Sequence, residues 1–139
     1  MRRLIALTAL ILAPVMVAGC GADGGVEPGR SVVGTYVLTS FDGGPPPITL
    51  AEEGELKLEL IGDQLELAPG GTFTQRTTFR FTDAGVPSME GHVEIGTYTV
   101  SGSTLTFRFA SDGSTVSAGV SGDTLTITSE GHTVVYVRP

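Results

Sequence analysis

Two copies of one triplet carry the residue types that most often bind zinc in proteins. They are Glu90-Gly91-His92 and Glu130-Gly131-His132, and together they contain both histidines of the chain. A zinc site needs three or four ligands that converge on one point, and neither triplet supplies them alone. We therefore expect each triplet to be a turn residue followed by the exposed start of a strand. A metal-dependent enzyme is the weakest of the alternatives that stay open.

The other reactive side chains lack the partners that catalysis requires. Calcium takes six to eight oxygen ligands, so we expect the acidic cluster Glu52, Glu53 and Glu55 to be a solvated surface rather than a calcium site. The serines occur in Ser-Gly turns without a nearby histidine, and the sequence has no Gly-x-Ser-x-Gly motif. We predict that the protein is not an enzyme and needs no cofactor.

The charge of the chain argues against a polyanionic partner. Its 139 residues carry a formal net charge of −7, with 8 Lys and Arg against 15 Asp and Glu. Binding to phosphate backbones depends on clustered positive charge, and the sequence shows no basic stripe. We expect no nucleic acid partner, and the length indicates one domain.

The N-terminal residues combine positive charge, a short apolar run and a cysteine. Arg2 and Arg3 precede residues 4–17, an apolar run too short to span a membrane. The run ends in Val-Ala-Gly-Cys at residues 17–20, which closely resembles the signal of bacterial lipoproteins. The resemblance implies cleavage after residue 19 and a lipid on the Cys20 thiol. An ordinary signal peptide that leaves a free thiol is the alternative.

The same resemblance implies where the protein resides. Once residues 1–19 are removed, residues 20–31 contain too few apolar side chains to fold and are expected to form a flexible tether. Acyl chains on Cys20 would anchor the protein in the cell envelope. In Gram-negative lipoproteins an Asp after the cysteine tends to retain the protein at the inner membrane. Gly21 stands there, so the resemblance implies the outer membrane.

After the tether, apolar and polar side chains alternate with the period of half-buried β-strands. The segment from Gly96 to Phe109 predicts a hairpin with a tight Ser-Gly-Ser turn. Related turns are predicted at Ser121-Gly122-Asp123 and at Ile61-Gly62-Asp63. No segment has helical period, so the predicted class is all-β.

The strand pattern indicates about nine short strands between residues 32 and 139. The first is predicted at residues 32–41. Loops are predicted at residues 42–54, where three prolines follow two glycines, and at residues 83–90. Closing such a meander into a barrel would remove its exposed edges. The outward-facing side chains are Thr, Arg, Lys and Glu, which disfavours a membrane-spanning barrel.

Three residues near the two ends of this domain resemble a known motif. Gly34 and Tyr36 match the Gly-x-Trp signature that opens lipocalin barrels, with Tyr36 at the tryptophan position, and Arg138 matches the arginine that lies across that ring. The domain thus resembles small bacterial lipocalin-like, calycin-type lipoproteins. The resemblance implies a single antiparallel up-and-down barrel of about eight or nine strands over residues 32–139, with these three residues as its closure motif.

The barrel interior decides between two functions. Eight strands leave space that large side chains fill or that holds one small ligand. The inward-facing leucines and phenylalanines, Leu58 and Phe81 among them, are large enough to fill most of it. The functional alternative is a small apolar pocket at one mouth, with residues 42–54 as a partial lid. Candidate ligand-binding residues are Phe73, Gln75, Thr77, Phe79, Tyr98 and Phe107.

These observations predict a lipid-anchored envelope lipoprotein whose barrel binds a small hydrophobic ligand without catalysis. A monomer is expected. The alternative is a filled barrel that acts as a protein-interaction or inhibitor module, with another envelope protein as its partner.

Overall fold

The computed structural model describes residues 31–139, and within them every regular element is a β-strand. The predicted signal, Cys20 and residues 20–30 of the tether lie outside the described residues, so the predicted domain boundaries stay predictions. No helix in residues 31–139 is long and apolar enough to cross a membrane. The strands are β1 (Gly34–Phe41), β2 (Ile48–Glu53), β3 (Leu56–Leu67), β4 (Thr72–Asp83), β5 (Val86–Ser101), β6 (Thr104–Phe109), β7 (Thr115–Ser121), β8 (Thr124–Ser129) and β9 (His132–Val137).

The strands close into an antiparallel barrel. From β3 to β9 each strand pairs with the next along the chain, and β1 pairs with both β9 and the second half of β3. In the β1–β3 seam Gly34 lies opposite Leu67 and Tyr36 opposite Leu65. Eight strands therefore form the ring, and β2 adds to the first half of β3 outside it. The predicted closed up-and-down barrel is confirmed.

The inward-facing side chains pack into one core. The largest fully buried side chains come from five strands, so all sides of the barrel contribute. Phe73 contacts the rings of Phe107 and Phe109 edge-on, with centroids 5.1 and 5.3 Å apart. Such edge-to-face pairs add to the stabilisation from apolar burial. The most completely buried large residues are Tyr36, Phe73, Phe107, Leu67, Leu105 and Leu125.

The hairpins predicted at two Ser-Gly sequences are confirmed. Ser101 pairs with Thr104 and Ser121 with Thr124. Gly102 and Gly122 both have a φ of 58°, a left-handed conformation that glycine adopts without steric cost.

The turn predicted at Ile61-Gly62-Asp63 is wrong. β3 continues through these residues and carries a β-bulge between Leu60 and Gly62. Gly62 does not have a positive φ, and the extra residue of the bulge turns Asp63 onto the same inner face as Leu60. Asp63 is buried there and accepts hydrogen bonds from other strands, which a turn position would not allow.

The two predicted loops are also shorter than expected. Residues 42–54 contain β2, which pairs with β3 and is a wall beside the barrel rather than a lid over it. Residues 83–90 contain only a tight turn, because β5 begins at Val86. Ala84 and Gly85 form this turn with φ values of 49° and 80°.

Three strands are much longer than the others. β3, β4 and β5 have 12, 12 and 16 residues, whereas each remaining strand has 6 to 8. Their extra length projects past one end of the ring. Together with β2 it forms a four-stranded sheet that we call the lip, made of β2, residues 56–60, residues 79–83 and residues 86–94.

Candidate functional site

One end of the barrel is sealed by Arg138. The guanidinium carbon lies 5.4 Å from the centroid of the Tyr36 ring, within range of a cation–π interaction. Its Nη1 donates to the carbonyl oxygens of Ser31 and Val33 at 2.8 and 2.7 Å, and its Nε and Nη2 donate to the Asp123 carboxylate at 2.9 and 2.7 Å. Arg138 thus links the first strand, the last strand and the β7–β8 turn.

The absence of a side chain at position 34 makes this arrangement possible. A Cβ on Gly34 would lie 2.7 Å from Cδ of Arg138, and the φ of Gly34 is 144°. The Tyr36 hydroxyl donates to the Val32 carbonyl at 2.8 Å, which holds the ring in place beneath the arginine. The structure therefore brings Gly34, Tyr36 and Arg138 together at one end of the barrel, far from the lip.

A polar cluster centred on Asp63 lies in the barrel interior. The Tyr136 hydroxyl and the Gln75 side-chain amide each donate to Oδ2 of Asp63 at 2.6 Å, and the Thr77 hydroxyl donates to Oδ1 at 3.0 Å. Every buried side-chain polar atom in residues 31–139 has a hydrogen-bond partner. The cluster is therefore complete without a ligand.

The burial of this cluster changes its acidities. Burial raises the pKa of Asp63 above its ordinary value, although the donors from Tyr136, Gln75 and Thr77 act in the opposite direction. Burial, and then the charge of Asp63, raise the pKa of Tyr136 far above its usual range. Asp63 is thus a buried carboxyl group surrounded by three uncharged donors.

The predicted ligand-binding residues lie mainly in the packed interior. Phe73 and Phe107 are 2% exposed, and the Tyr98 hydroxyl donates to the Ala68 carbonyl at 2.6 Å. Gln75 and Thr77 belong to the Asp63 cluster. Phe79 is partly buried and lies at the level where the ring gives way to the lip. Ligand binding by these six residues stays a prediction.

The lip end of the barrel is open and apolar. Partly buried apolar side chains pack over the core at this end: Ile48, Phe79, Phe109, Ile127 and Val134. Beyond them a pocket of about 250 Å³ opens on the inner face of the lip. Its apolar lining comes from Ala51, Leu56, Leu58 and Phe81, and Leu56 and Phe81 are 43% and 38% exposed. The pocket lies roughly 13 Å above the Asp63 cluster, counted as four strand residues from Thr77 to Phe81.

Comparison of the sequence with models of known protein families shows to which family of barrels the chain belongs. The model of the lipocalin-like domain matches residues 32–127, more than half of the chain. The chain belongs to the lipocalin-like family. Members of this family are in general non-catalytic proteins that bind small hydrophobic molecules in or at the barrel. Comparison of the sequence with curated proteins finds no match.

Charged side chains surround the pocket of this lipocalin-like barrel. Glu52, Glu53 and Lys57 line its edge. The Lys57 ammonium lies 3.3 Å from the carboxylate of Glu59, which also accepts a hydrogen bond from Nε of Arg80 at 2.7 Å. The Arg80 hydrogen bond is the largest cause of a lowered Glu59 pKa. Lys57 and Arg80 near the pocket thus both lie against the single carboxylate of Glu59, whereas Glu52 and Glu53 at its edge are exposed.

The two Glu-Gly-His triplets do not meet in this lipocalin-like barrel. His132 pairs with the Asp42 carboxylate, Nδ1 to Oδ2 at 2.7 Å, and His92 lies 3.5 Å from Glu94. In the part of the chain that the structure describes, no group of three or more His, Cys, Asp or Glu residues is placed to hold a metal ion.

Sequence reasoning missed the residue at the centre of the lumen and one wall of the pocket. The Gly-Asp sequence predicts a turn at Asp63, and the prolines before β2 predict a loop there, but both segments are strands. The inner face predicted for Leu58 and Phe81 is correct. These two residues lie on the lip because β3, β4 and β5 are longer than the other strands. The only sequence signal of that extra length is the unbroken alternation of β4.

Proposed function

We propose that the protein is a lipid-anchored envelope lipoprotein whose lipocalin-like barrel binds one small hydrophobic molecule in the pocket at its lip. The observation that carries this proposal is the apolar pocket lined by Leu56, Leu58 and Phe81, directly above a core that large side chains fill. The anchor itself is inferred from Cys20 and the sequence before it, which lie outside the described residues.

The volume and charge of the pocket limit the ligand. Pockets for drug-sized ligands measure about 300–1,000 Å³, so a pocket of about 250 Å³ suits a small molecule or one end of a larger one. Two glutamates and an already paired lysine at the edge disfavour an anionic group there, because a like charge would be held close to carboxylates. We infer a neutral or cationic hydrophobic ligand rather than a fatty acid.

A fluorescent probe tests this proposal. The purified protein is titrated with N-phenyl-1-naphthylamine, a neutral apolar dye, and with an anionic naphthalene dye of similar size. We expect saturable binding of the neutral dye and weaker binding of the anionic one. Phe81→Ser should weaken binding of the neutral dye about tenfold, because about 60 Å² of lost apolar contact corresponds to about 1.5 kcal/mol.

The control for this variant is Val100→Ser. Val100 is 48% exposed, similar to Phe81, but it lies near the C-terminal end of β5, next to the Gly102 turn and away from the lip. Equal binding by the Phe81→Ser variant and the unchanged protein would contradict the proposal. Native mass spectrometry of protein purified from its source would add a direct search for a retained molecule.

The alternative of an interaction module is favoured by a different observation. Met89, Val93 and Ile95 are 57 to 60% exposed on the outer face of β5, on the opposite side of the lip from the pocket. Apolar groups clustered on a surface commonly mark a contact with another protein. This surface and the pocket do not share residues, so either function can be tested without the other.

A further inference from the structure

One side of β5 is an open strand edge. β5 pairs with β4 from Val86 onward but with β6 only from Gly96 to Ser101. No strand within residues 31–139 pairs with the other side of residues 86–94, and residues 86–93 are all exposed. An edge of this kind is a template for pairing with another strand.

The hydrogen bonds at the end of this edge establish which backbone groups face outward. The Ile95 carbonyl accepts from the Ala110 N–H on the β6 side, whereas the Tyr98 N–H donates to the Gly71 carbonyl on the β4 side. Successive residues of an antiparallel strand point their backbone groups to opposite sides. The odd-numbered residues therefore face the open edge: Met89, Gly91 and Val93 present N–H and C=O groups to it, and Pro87 presents only its C=O.

We propose that this edge pairs antiparallel with the same edge of a second copy of the chain, with Gly91 on the two-fold axis. In this register the two Gly91 residues exchange N–H and C=O groups with each other. Met89 lies opposite Val93 of the second copy, and both are outward-facing apolar residues. A C2 interface requires such self-complementarity.

The paired edge is limited at Ile95. The Ile95 carbonyl accepts from the Ala110 N–H on the same side as the open edge, so the chain after β6 already occupies that position. Pairing with the second copy is therefore confined to residues 89–93. Pro87, which has no N–H to donate, lies beyond the last pair, where the two strands diverge.

Charged side chains favour this register over its neighbours. On the inner face Glu90 lies opposite His92 of the second copy, and Ser88 lies opposite Glu94. With the two-fold axis at Glu90, the two copies of Glu90 would lie opposite each other. With the axis at His92, Glu90 would lie opposite Glu94 and the two copies of His92 would lie opposite each other. Like charges directly opposite each other are destabilising, so the Gly91-centred register is the favoured one.

The other open edge of the lip is a poorer site for a second copy. β2 carries Glu52 and Glu53 near its end, and both are exposed. Antiparallel pairing of β2 with itself, centred between residues 50 and 51, would place Glu52 opposite Thr49 and Glu53 opposite Ile48. No cation within residues 48–53 would then pair with these carboxylates.

The mass of the full chain in solution tests the proposal. The chain carrying Cys20→Ser is purified in a nonionic detergent, so that neither lipid nor a thiol contributes to association, and its mass is measured by sedimentation at several concentrations. We expect a dimer. Val93→Lys should weaken it about tenfold or more, because the change acts at two equivalent pairs. Val100→Lys, a control on the same strand away from the open edge, should leave it unchanged.

A compensating change tests the register. Met89→Glu combined with Val93→Lys places opposite charges across the interface, so the double variant should recover the dimer that Val93→Lys loses. A protein that stays monomeric at about 0.1 mM overturns the proposal. So does a dimer that Val93→Lys leaves intact, or an edge that a different protein occupies in place of a second copy.

Disulfide trapping provides an independent measurement. Directly opposed residues in a hydrogen-bonded antiparallel pair have Cα atoms about 5.5 Å apart, within the range that a disulfide bridges. A Cβ added at Gly91 meets no atom within 4 Å, so Gly91→Cys should fold. In the Cys20→Ser background it should form a disulfide-linked dimer on oxidation, whereas Thr49→Cys on β2 should not. The reverse pattern overturns the proposal.

Discussion

Replacing Tyr136 with phenylalanine removes one donor from the Asp63 cluster and tests whether that cluster stabilises the fold. The hydroxyl donates to the carboxylate at 2.6 Å, and Tyr136 and Asp63 are only 4% and 6% exposed. A hydrogen bond to a charged group contributes about 1.5–3 kcal/mol, and little water can enter to replace it here. We expect Tyr136→Phe to lower the free energy of unfolding by about 2–3 kcal/mol at neutral pH.

The loss should shrink in acid. Burial raises the folded-state pKa of Asp63 above 3.8, its ordinary value in the unfolded chain. At a pH between the unfolded-state pKa and the folded-state pKa, the folded protein therefore binds more protons than the unfolded chain. Stability from this group is therefore gained as pH falls through the folded pKa. Removing the Tyr136 donor raises that pKa further, so the variant gains more than the parent. Once the pH is below the folded-state pKa of Asp63, the difference should approach about 1 kcal/mol, the contribution of a neutral hydrogen bond.

Urea unfolding at neutral pH and at a series of lower pH values measures this difference, and Tyr98→Phe is the matched control. The Tyr98 hydroxyl also donates at 2.6 Å, but its acceptor is the neutral Ala68 carbonyl. Its loss should cost about 1 kcal/mol at either pH. If Tyr136→Phe costs no more than Tyr98→Phe at neutral pH, or if its effect does not change with pH, then Asp63 is not a buried carboxylate that these donors hold.

Two further predictions concern core packing and the anchor. Gly96→Ala should lower the free energy of unfolding by more than about 3 kcal/mol in urea unfolding. The new Cβ would collide with the Arg108 carbonyl and lie 2.6 Å from the Phe73 ring. Gly119→Ala is the control: the nearest atom to its new Cβ is 3.9 Å away, so stability should change by less than about 1 kcal/mol. Cys20→Ser should move the protein from the membrane fraction to the soluble fraction, and a variant that remains with membranes would show that lipid on Cys20 is not the anchor.

The strand pairing of the barrel could be predicted because it depends on local signals. Gly102 and Gly122 occupy left-handed turn positions between alternating strands, and both hairpins form as expected. Gly62-Asp63 carries the same local signal and yet forms no turn. The difference lies in Tyr136, which is 73 residues away and donates to Asp63 inside the barrel. A contact at that separation leaves no mark on the sequence near residue 62.

The lip could not be predicted for a similar reason. Gly85 and Pro87 suggested a loop, but a proline is tolerated at a strand position whose backbone faces an open edge, and Pro87 is at such a position. In β2 the bulge between Thr49 and Ala51 interrupts the alternation that would have revealed a strand. The prediction of which residues of β3 and β4 face inward is correct, but the sequence does not show that the ends of these strands extend past the ring.

The filled lumen and the open lip explain why the two proposed activities are separate. Large side chains and the complete Asp63 cluster occupy the ring, and the proposed ligand pocket lies beyond it, where Leu56 and Phe81 are exposed. Pairing of two β5 edges would place both lips in one sheet with their inner faces on the same side. Between the two pockets the inner row of that sheet would contain Ser88, Glu90 and the His92 of the other copy, all of which are polar. A polar row of this width separates the two apolar surfaces, so each pocket would remain a single-molecule site whether the protein is a monomer or a dimer.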